Sequence, residues 1–361
     1  MRLFDRDLVR GIDGMGRGHA MKAPGETVTI STDPPRTATE PGRDVSEPCT
    51  PGAGRHGGTP AARETVATPP FFIVGAQRSG TTMLRLMLNQ HPRLAVPFES
   101  GFITAYYEKL DEYGDLTVVE NQRRLLNDIS TYDWVVRGKL LQDMDAVLAR
   151  RITNYADIVA AIYAEYARQK NKPRWGDKTP GYVEHIEVLR RIFPNCKIIH
   201  LVRDGRDVAL SLRRVSWGSS SIPRVALDWR WKTMLAHKMG ALLGSDFLEV
   251  RFEDLVLEPE SSLRTICDFL AETYTPDMLT YHRQSELDLP EDSKKWHQSS
   301  LQAPNSSKLW EWKYAMSIPD RTIFEQNAGD ALELFGYEKE RRARTFASRC
   351  RELYYALVRR W

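Results

Sequence analysis

The sequence predicts an α/β protein with a central parallel sheet, helices on both faces and a helical insertion, in the style of phosphate-loop folds. Three observations predict it. Apolar strand-like runs alternate with helical patterns along the chain. Two of these runs, ending at Val74 and Val202, turn directly into helices, as chains do at the ligand edge of an open parallel sheet. Between them, residues 102–170 carry amphipathic helical spacing with no strand signal.

The first element is the apolar run Phe71–Val74, which closes at Gly75 in FFIVGAQRSGTTMLRLML (71–88). Gly75 and Gly80 bracket a short loop, and a helix over 81–91 turns Leu84, Met87 and Leu88 inward. Backbone N–H groups at such a helix start converge, so the loop is an anion cradle. Its frame resembles G-x-x-x-x-G-K-[ST], but Thr81 stands where the lysine is required and the positive charge sits earlier, at Arg78. That departure argues against an ordinary ATPase or GTPase. It favours a loop that holds a 5′-phosphate beside a transferable group. Next come a strand-like LAVPFES (94–100) and the insertion, which includes an amphipathic stretch over Asp157–Lys170. PRWGDKTP (173–180) reads as turn-rich and Val183–Phe193 as helical. KIIHLV (197–202) is the second buried strand, FLEVRF (247–252) the third, and Glu260–Leu270 a further helix.

The segment KIIHLVRDGRDVALSL repeats the strand–turn–helix logic. Arg203 stands at the carboxyl end of its strand, and Ser211 follows on the helix. A guanidinium and a hydroxyl together suit a phosphate monoester. The alternative is structural: Arg203 pairs with Asp204, which caps the helix, and Asp207 favours its positive end. Two anion sites together call for a ligand with phosphate groups at two separated positions, which ATP does not present.

A net charge of +3 is too small to imply nucleic-acid binding. Cys49, Cys196, Cys267 and Cys350 lie far apart without metal-ligand spacing, as reduced thiols of a cytoplasmic protein would, and no metal is expected. Residues 1–68 are rich in Gly, Pro, Thr and charge, without a signal-peptide apolar core, and read as a disordered tail ahead of a domain over 69–338. Residues 339–361 read as a basic amphipathic helix. From Arg341 to Trp361 seven arginines face one glutamate, with Phe346, Cys350, Leu353, Leu357 and Trp361 at helical spacing. Such a helix either packs on its own domain or makes peripheral contact with a membrane, here the inner face.

QRSGTTML and LVRDGRDVALSL, in this order and separation, resemble sulfotransferases that use 3′-phosphoadenosine 5′-phosphosulfate (PAPS). The resemblance runs from about Phe71 to Tyr337. It is closest to a bacterial branch similar to protein-tyrosine sulfotransferases, with R-S-G-T-T rather than the P-K-S-G-T-T of cytosolic small-molecule enzymes. It implies that Arg78, Ser79, Gly80, Thr81 and Thr82 hold the 5′-phosphosulfate and that Arg203 and Ser211 hold the 3′-phosphate. Phe252, in VRFEDLV (250–256), matches a tyrosine near the adenine, with the hydroxyl missing. Glu99 matches the catalytic glutamate, and Lys178 a lysine that stabilises transferred charge. Ser307 and Lys308 resemble a segment that closes over the cofactor, in a stretch offset from the family pattern.

The implied reaction moves a sulfuryl group to an acceptor hydroxyl on a carbohydrate, lipid or other small molecule, with tyrosine less favoured. Glu99 is the expected base, and Arg78 and Lys178 are the expected charge stabilisers. Structural roles compete: a helix cap for Glu99, an ion pair with Asp177 for Lys178. His200 reads as a core histidine, and His297 first as a solvated loop residue, with approach to the acceptor as the alternative. Trp217, Trp229, Trp231, Trp296, Trp310 and Trp312 could line an acceptor groove, with Trp229 and Trp231 equally suited to core packing. Segments 102–170 and 283–308 are expected to wall the acceptor. A basic groove for an acidic peptide would draw on Arg123, Arg124 and Arg137. The rival functions are a P-loop phosphotransferase and a non-catalytic nucleotide-binding module.

Overall fold

The computed structural model describes residues 68–283, 289–340 and 345–358; the expected tail, with Cys49, and Trp361 lie outside them. Five parallel strands form one sheet in the order β2-β3-β1-β4-β5: β1 (Phe71–Val74), β2 (Leu94–Ala95), β3 (Arg174–Lys178), β4 (Lys197–Val202) and β5 (Phe247–Arg251). Alternation along β1 separates the two faces. Phe72 and Val74 meet the helices of the insertion, while Phe71 and Ile73 meet Leu84, Met87 and Leu88 of α1 (Thr81–Asn89). All four β1 side chains are fully buried, which explains why an unbroken apolar run is required there.

The insertion comprises α2 (Phe102–Tyr107), α3 (Val119–Ser130), α4 (Asp133–Gly138), α5 (Met144–Leu148) and α6 (Tyr155–Gln169). α6 lays Ile158, Val159 and Ile162 on the sheet. Then follow α7 (Ile186–Ile192), α8 (Gly205–Arg213), α9 (Ile222–Leu243), α10 (Phe252–Leu257) and α11 (Pro259–Leu270). The chain continues through α12 (Glu291–His297), α13 (Trp312–Ala315), α14 (Ile318–Leu334) and α15 (Phe346–Val358).

Four local expectations are corrected. The turn-rich reading of 173–180 fails because β3 lies inside the sheet, with Gly176 so close to Phe71 that an added Cβ would stand 2.4 Å from its ring. Burial between two strands overrides the poor strand propensity of Gly, Asp and Lys. In the run 94–100 only Leu94 and Ala95 pair, since Val96 and Pro97 turn their carbonyls to Arg85. The third strand, expected to run through Phe252, ends at Arg251, and Phe252 opens α10. The 22-residue α9 was not foreseen, although Pro223 marks its first turn and Ile222, Val225, Ala226 and Trp229 repeat with helical period.

The expected C-terminal helix is present as α15, facing opposite to the packing expectation. Its polar side is anchored: Tyr355 is buried, with its hydroxyl 3.0 Å from Asp320 Oδ1, and Arg351 also reaches that carboxylate. Its apolar side is left outside, with Phe346, Leu353 and Leu357 at 84%, 64% and 69% exposure. Among the described residues no helix is long and apolar enough to cross a membrane.

Candidate active site

β1 and β4 are adjacent and parallel, so the loops after them open at the same edge of the sheet. β3 lies on the other side of β1, which makes this edge the point where the chain's strand order reverses. There a cleft of about 550 Å³ is lined by residues from both loops, including Arg78, Gly80, Thr81, Thr82, Glu99, Arg203, Ser211, Phe252 and Lys308.

The first loop is a strained, closely packed turn. Arg78 adopts φ 70°, a left-handed conformation that costs a non-glycine residue roughly 1–2 kcal/mol. Gly80 has φ 93°, and an added Cβ would stand 2.2 Å from the Phe252 ring, so no side chain fits. Thr81, Thr82 and Met83 then begin α1, and their N–H groups precede the first intrahelical bond, from Leu84 N to Gly80 O. Ser79 is fully buried, and its Oγ has no hydrogen-bond partner.

The Arg78 guanidinium crosses to the second loop. Its Nε donates to Ser211 Oγ (3.0 Å) and its Nη2 to the Trp296 carbonyl (2.8 Å). Burial, then repulsion from Arg203, lowers its pKa. Arg203 lies over the Phe252 ring (4.7 Å) and donates to the carbonyls of Arg78 (3.3 Å) and Lys308 (3.4 Å), with its Nε buried and unpartnered. Asp204 caps α8 and pairs with Arg206 (2.8 Å), so the expected Arg203–Asp204 pair does not form. Arg203 instead has Asp207 at 3.9 Å, and burial pushes that carboxyl up to about 6.

Lys178 and Glu99 sit across the cleft floor. The Lys178 Nζ donates to Glu99 Oε1 (2.7 Å) and to Thr82 Oγ1 (3.4 Å), and its side chain is 0% exposed against 22% for Glu99. Burial lowers the Lys178 pKa, while Glu99 opposes that shift. The competing pair with Asp177 is absent, because Asp177 accepts from the Tyr163 hydroxyl (2.6 Å) on the opposite side of the strand. Ser307 departs from its expected position. It is exposed and outside the cleft lining, held by its N–H to Asn305 Oδ1 (2.9 Å), and only its neighbour Lys308 reaches the cleft.

Lys232, Trp134 and Ser293 went unread in the sequence. Trp229 is core, yet its Nε1 donates to the Arg203 carbonyl (3.0 Å), and Lys232 on the same helix holds Gln77 Oε1 (3.1 Å). α9 therefore braces both anion loops. From the insertion Trp134 and Arg137 line the cleft, as do Ser293, Trp296 and His297 of α12. Arg123 pairs with Asp145 (3.7 Å), and Arg124 donates to the Glu112 carbonyl (2.6 Å), so neither joins Arg137 in the lining. Trp217 lines the cleft, Trp231 and Trp310 do not, and Trp312 is buried beneath Arg206. His200 is a core histidine, with Nδ1 3.1 Å from Glu249 Oε2.

His297 is the clearest correction. It ends a helix, packs edge-on against Phe98 and faces the cleft instead of open solvent. Burial first, then the charges of Lys178, Arg78 and Arg85, lowers its pKa to about 3. The unfolded chain takes up this proton near the ordinary value of about 6.5. Stability present above that pH is therefore lost progressively as pH falls towards 3. Asp177 and Asp207, both raised to about 6, act in the opposite direction, so the histidine is isolated by comparing His297→Gln with the parent. The variant is expected to lose less stability between pH 7 and pH 4.5 in urea titrations. Equal losses would mean that His297 charges freely in the folded state.

The donor set suits a nucleotide bearing anions at two places: the first-turn N–H groups of α1 and Arg78 at one loop, Arg203 and Ser211 at the other, and a ring at Phe252. The buried, unsatisfied Ser79 Oγ and Arg203 Nε are consistent with groups awaiting such a ligand.

Comparison with known proteins bears on the same region. The pattern of the sulfotransferase family matches residues 69–276. A protein-tyrosine sulfotransferase of Drosophila melanogaster is 27% identical over 223 residues, covering 60% of this chain and 40% of that protein. The omega-hydroxy-beta-dihydromenaquinone-9 sulfotransferase Stf3 of Mycobacterium tuberculosis is 21% identical over 328 residues, covering 78% and 79%. The chain spans 40%, 53% and 54% of the fly, Caenorhabditis elegans and chicken protein-tyrosine sulfotransferases. Among solved structures, the sulfotransferase domain of the Synechococcus PCC 7002 olefin synthase has a TM-score of 0.52 at 26% identity, covering 75% of this chain and 95% of that domain. The match over the sheet, both anion loops and the helices between them shows that the chain belongs to the sulfotransferase family.

Proposed function

We propose that this protein transfers a sulfuryl group from PAPS to an acceptor hydroxyl, with Glu99 and Lys178 at the reacting centre. The observation that carries the reading is the convergence of the Arg78 and Arg203 loops on one cleft whose floor holds the Glu99–Lys178 pair. When bound, the donor supplies the sulfuryl group and a phosphate leaving group. The N–H groups of Thr81 and Thr82, with Arg78, would hold the 5′ end. Arg203 and Ser211 would hold the 3′-phosphate, and Phe252 would stack near the base. Glu99 keeps one carboxylate oxygen on Lys178 and has the other to take the acceptor's proton. Lys178, desolvated and held beside Thr82, places positive charge where negative charge develops, and desolvation strengthens that interaction.

A phosphotransferase is disfavoured by Thr81 in the place of the P-loop lysine. The discriminating measurement is ligand-dependent melting. Adenosine 3′,5′-bisphosphate at 100 times its Kd adds about 2.7 kcal/mol of stability, and Mg-ATP at the same concentration should add none. Stabilisation by Mg-ATP alone would sink the sulfuryl-donor reading. The reaction itself is read by incubating labelled donor with a crude extract and finding a product heavier by one sulfate.

Peripheral membrane contact through α15 belongs to the same reading. Phe346, Cys350, Leu353 and Leu357 form one exposed stripe, and the surrounding segment 341–361 contains seven arginines, a pattern complementary to an anionic lipid surface. Sedimentation with anionic vesicles should carry the full chain down, and Leu353→Glu/Leu357→Glu should leave it in the supernatant. Equal sedimentation of the two proteins would remove α15 as the contact.

A further inference from the structure

Phe98 and Arg137 are shared between the donor cleft and a second cavity of about 490 Å³. Arg85 of α1, Arg137 and Lys139 around the end of α4, Lys170 after α6 and Lys294 of α12 bring five cationic side chains to its wall. Glu291 is the one carboxylate residue among the described residues lining it, and it is already paired with Lys294. Arg137 has Asp133 at 2.9 Å. Lys139 and Lys170 have no carboxylate partner among the described residues, and Lys170 leans on the Tyr166 ring (5.7 Å).

Lys139 is also backbone-costly. It closes α4 with φ 48° and ψ 40°, the left-handed cap that glycine fills without strain. At that cap Lys139 lines the cavity wall. Lys139 and Lys170 stand exposed at this wall, where an anion entering the cavity would pair with both. The adjoining wall is electropositive as well, since Lys178, Arg78 and Arg85 help keep His297 neutral.

We infer that this second cavity is an acceptor-side anion subsite: the hydroxyl compound that presents its OH to Glu99 also carries a carboxylate, phosphate or sulfate group, held by Lys139, Lys170 and Arg137. This rests on the sulfotransferase reading above and adds the substrate's charge class to it. An acceptor reaching past Phe98 and Arg137 fills both cavities, which orients its hydroxyl and favours anionic acceptors over neutral ones of the same shape.

The test uses the full chain saturated with adenosine 3′,5′-bisphosphate, so that the donor loops are occupied, and titrated with inorganic sulfate at constant ionic strength in a calorimeter. One saturable sulfate site is expected, weakened at least tenfold in Lys139→Gln/Lys170→Gln, with nucleotide affinity unchanged. Absence of a saturable site, or equal affinity in the double variant, overturns the subsite. If the nucleotide itself does not bind, the donor reading falls instead, and the same titration of the free protein against the double variant still decides the subsite. In a second arm, a metabolite extract is split by anion exchange before incubation with labelled donor. Label is expected in products from the retained fraction, and label confined to the unretained fraction overturns the inference.

Discussion

Glu99→Gln is expected to lower kcat by about 10² to 10⁴, the usual contribution of a positioned general base. The substitution keeps the size and the carbonyl oxygen facing Lys178 Nζ, now 2.7 Å from Glu99 Oε1, so the cleft floor should remain in place. Affinity for adenosine 3′,5′-bisphosphate should change little, because Glu99 bonds to Lys178, while Arg203 and Ser211, which would hold the 3′-phosphate, bond to Arg78 and Lys308. The measurement is steady-state transfer at saturating donor together with nucleotide titration. A variant with kcat within fivefold of the parent would remove Glu99 as the base, and one with unmeasurable nucleotide affinity would make it a binding residue. A non-catalytic module, the remaining rival, has no transfer to lose.

Lys178→Met should be the second large effect. Methionine fills much of the same buried volume without the ammonium, which removes one preorganised donor from the reacting centre. Losses of that kind cost about 2.7–4 kcal/mol of transition-state stabilisation, or about 10² to 10³ in kcat. Stability should fall less than activity. Glu99 is 22% exposed and can turn to water when its partner is lost, while Lys178 no longer has to be desolvated. The double variant Glu99→Gln/Lys178→Met is expected to be little worse than the poorer single variant, since groups that act as a unit are not additive. Additive losses would show the two residues acting separately.

The legibility of this protein in its sequence was uneven, for physical reasons. β1, β4 and the loops that follow them were readable because local chemistry specifies them. A strand buried on both faces must be an unbroken apolar run, and a turn that presses backbone against Phe252 must carry glycine at position 80. β3 was not readable. Its Gly176, Asp177 and Lys178 argue against a strand, and only the pairing with β1 and β2 makes them one. The solvated reading of His297 fails because its surroundings are assembled from Arg85 of α1, Lys178 of β3, Arg78 of the first loop and the Phe98 ring, none of which is near it in sequence. Ser307 was assigned on a motif whose register slips, and the structure leaves it outside the cleft.

The α15 helix shows the same division. Its period was plain, yet which side would face the protein was not, because Tyr355 and Arg351 are drawn inward by Asp320, a carboxylate 31 to 35 residues away. By itself the sequence determined the buried strands, the anion loops and the residue types able to grip phosphate, since each depends on neighbours within a few positions. Tertiary structure alone decided that Arg78 would reach Ser211, that Lys178 would lie under Glu99, and that α9 would brace both loops. Those contacts join residues 26 to 155 positions apart, where only the parallel pairing of β1 with β3 and β4 and the packing of helices onto the sheet determine what meets what.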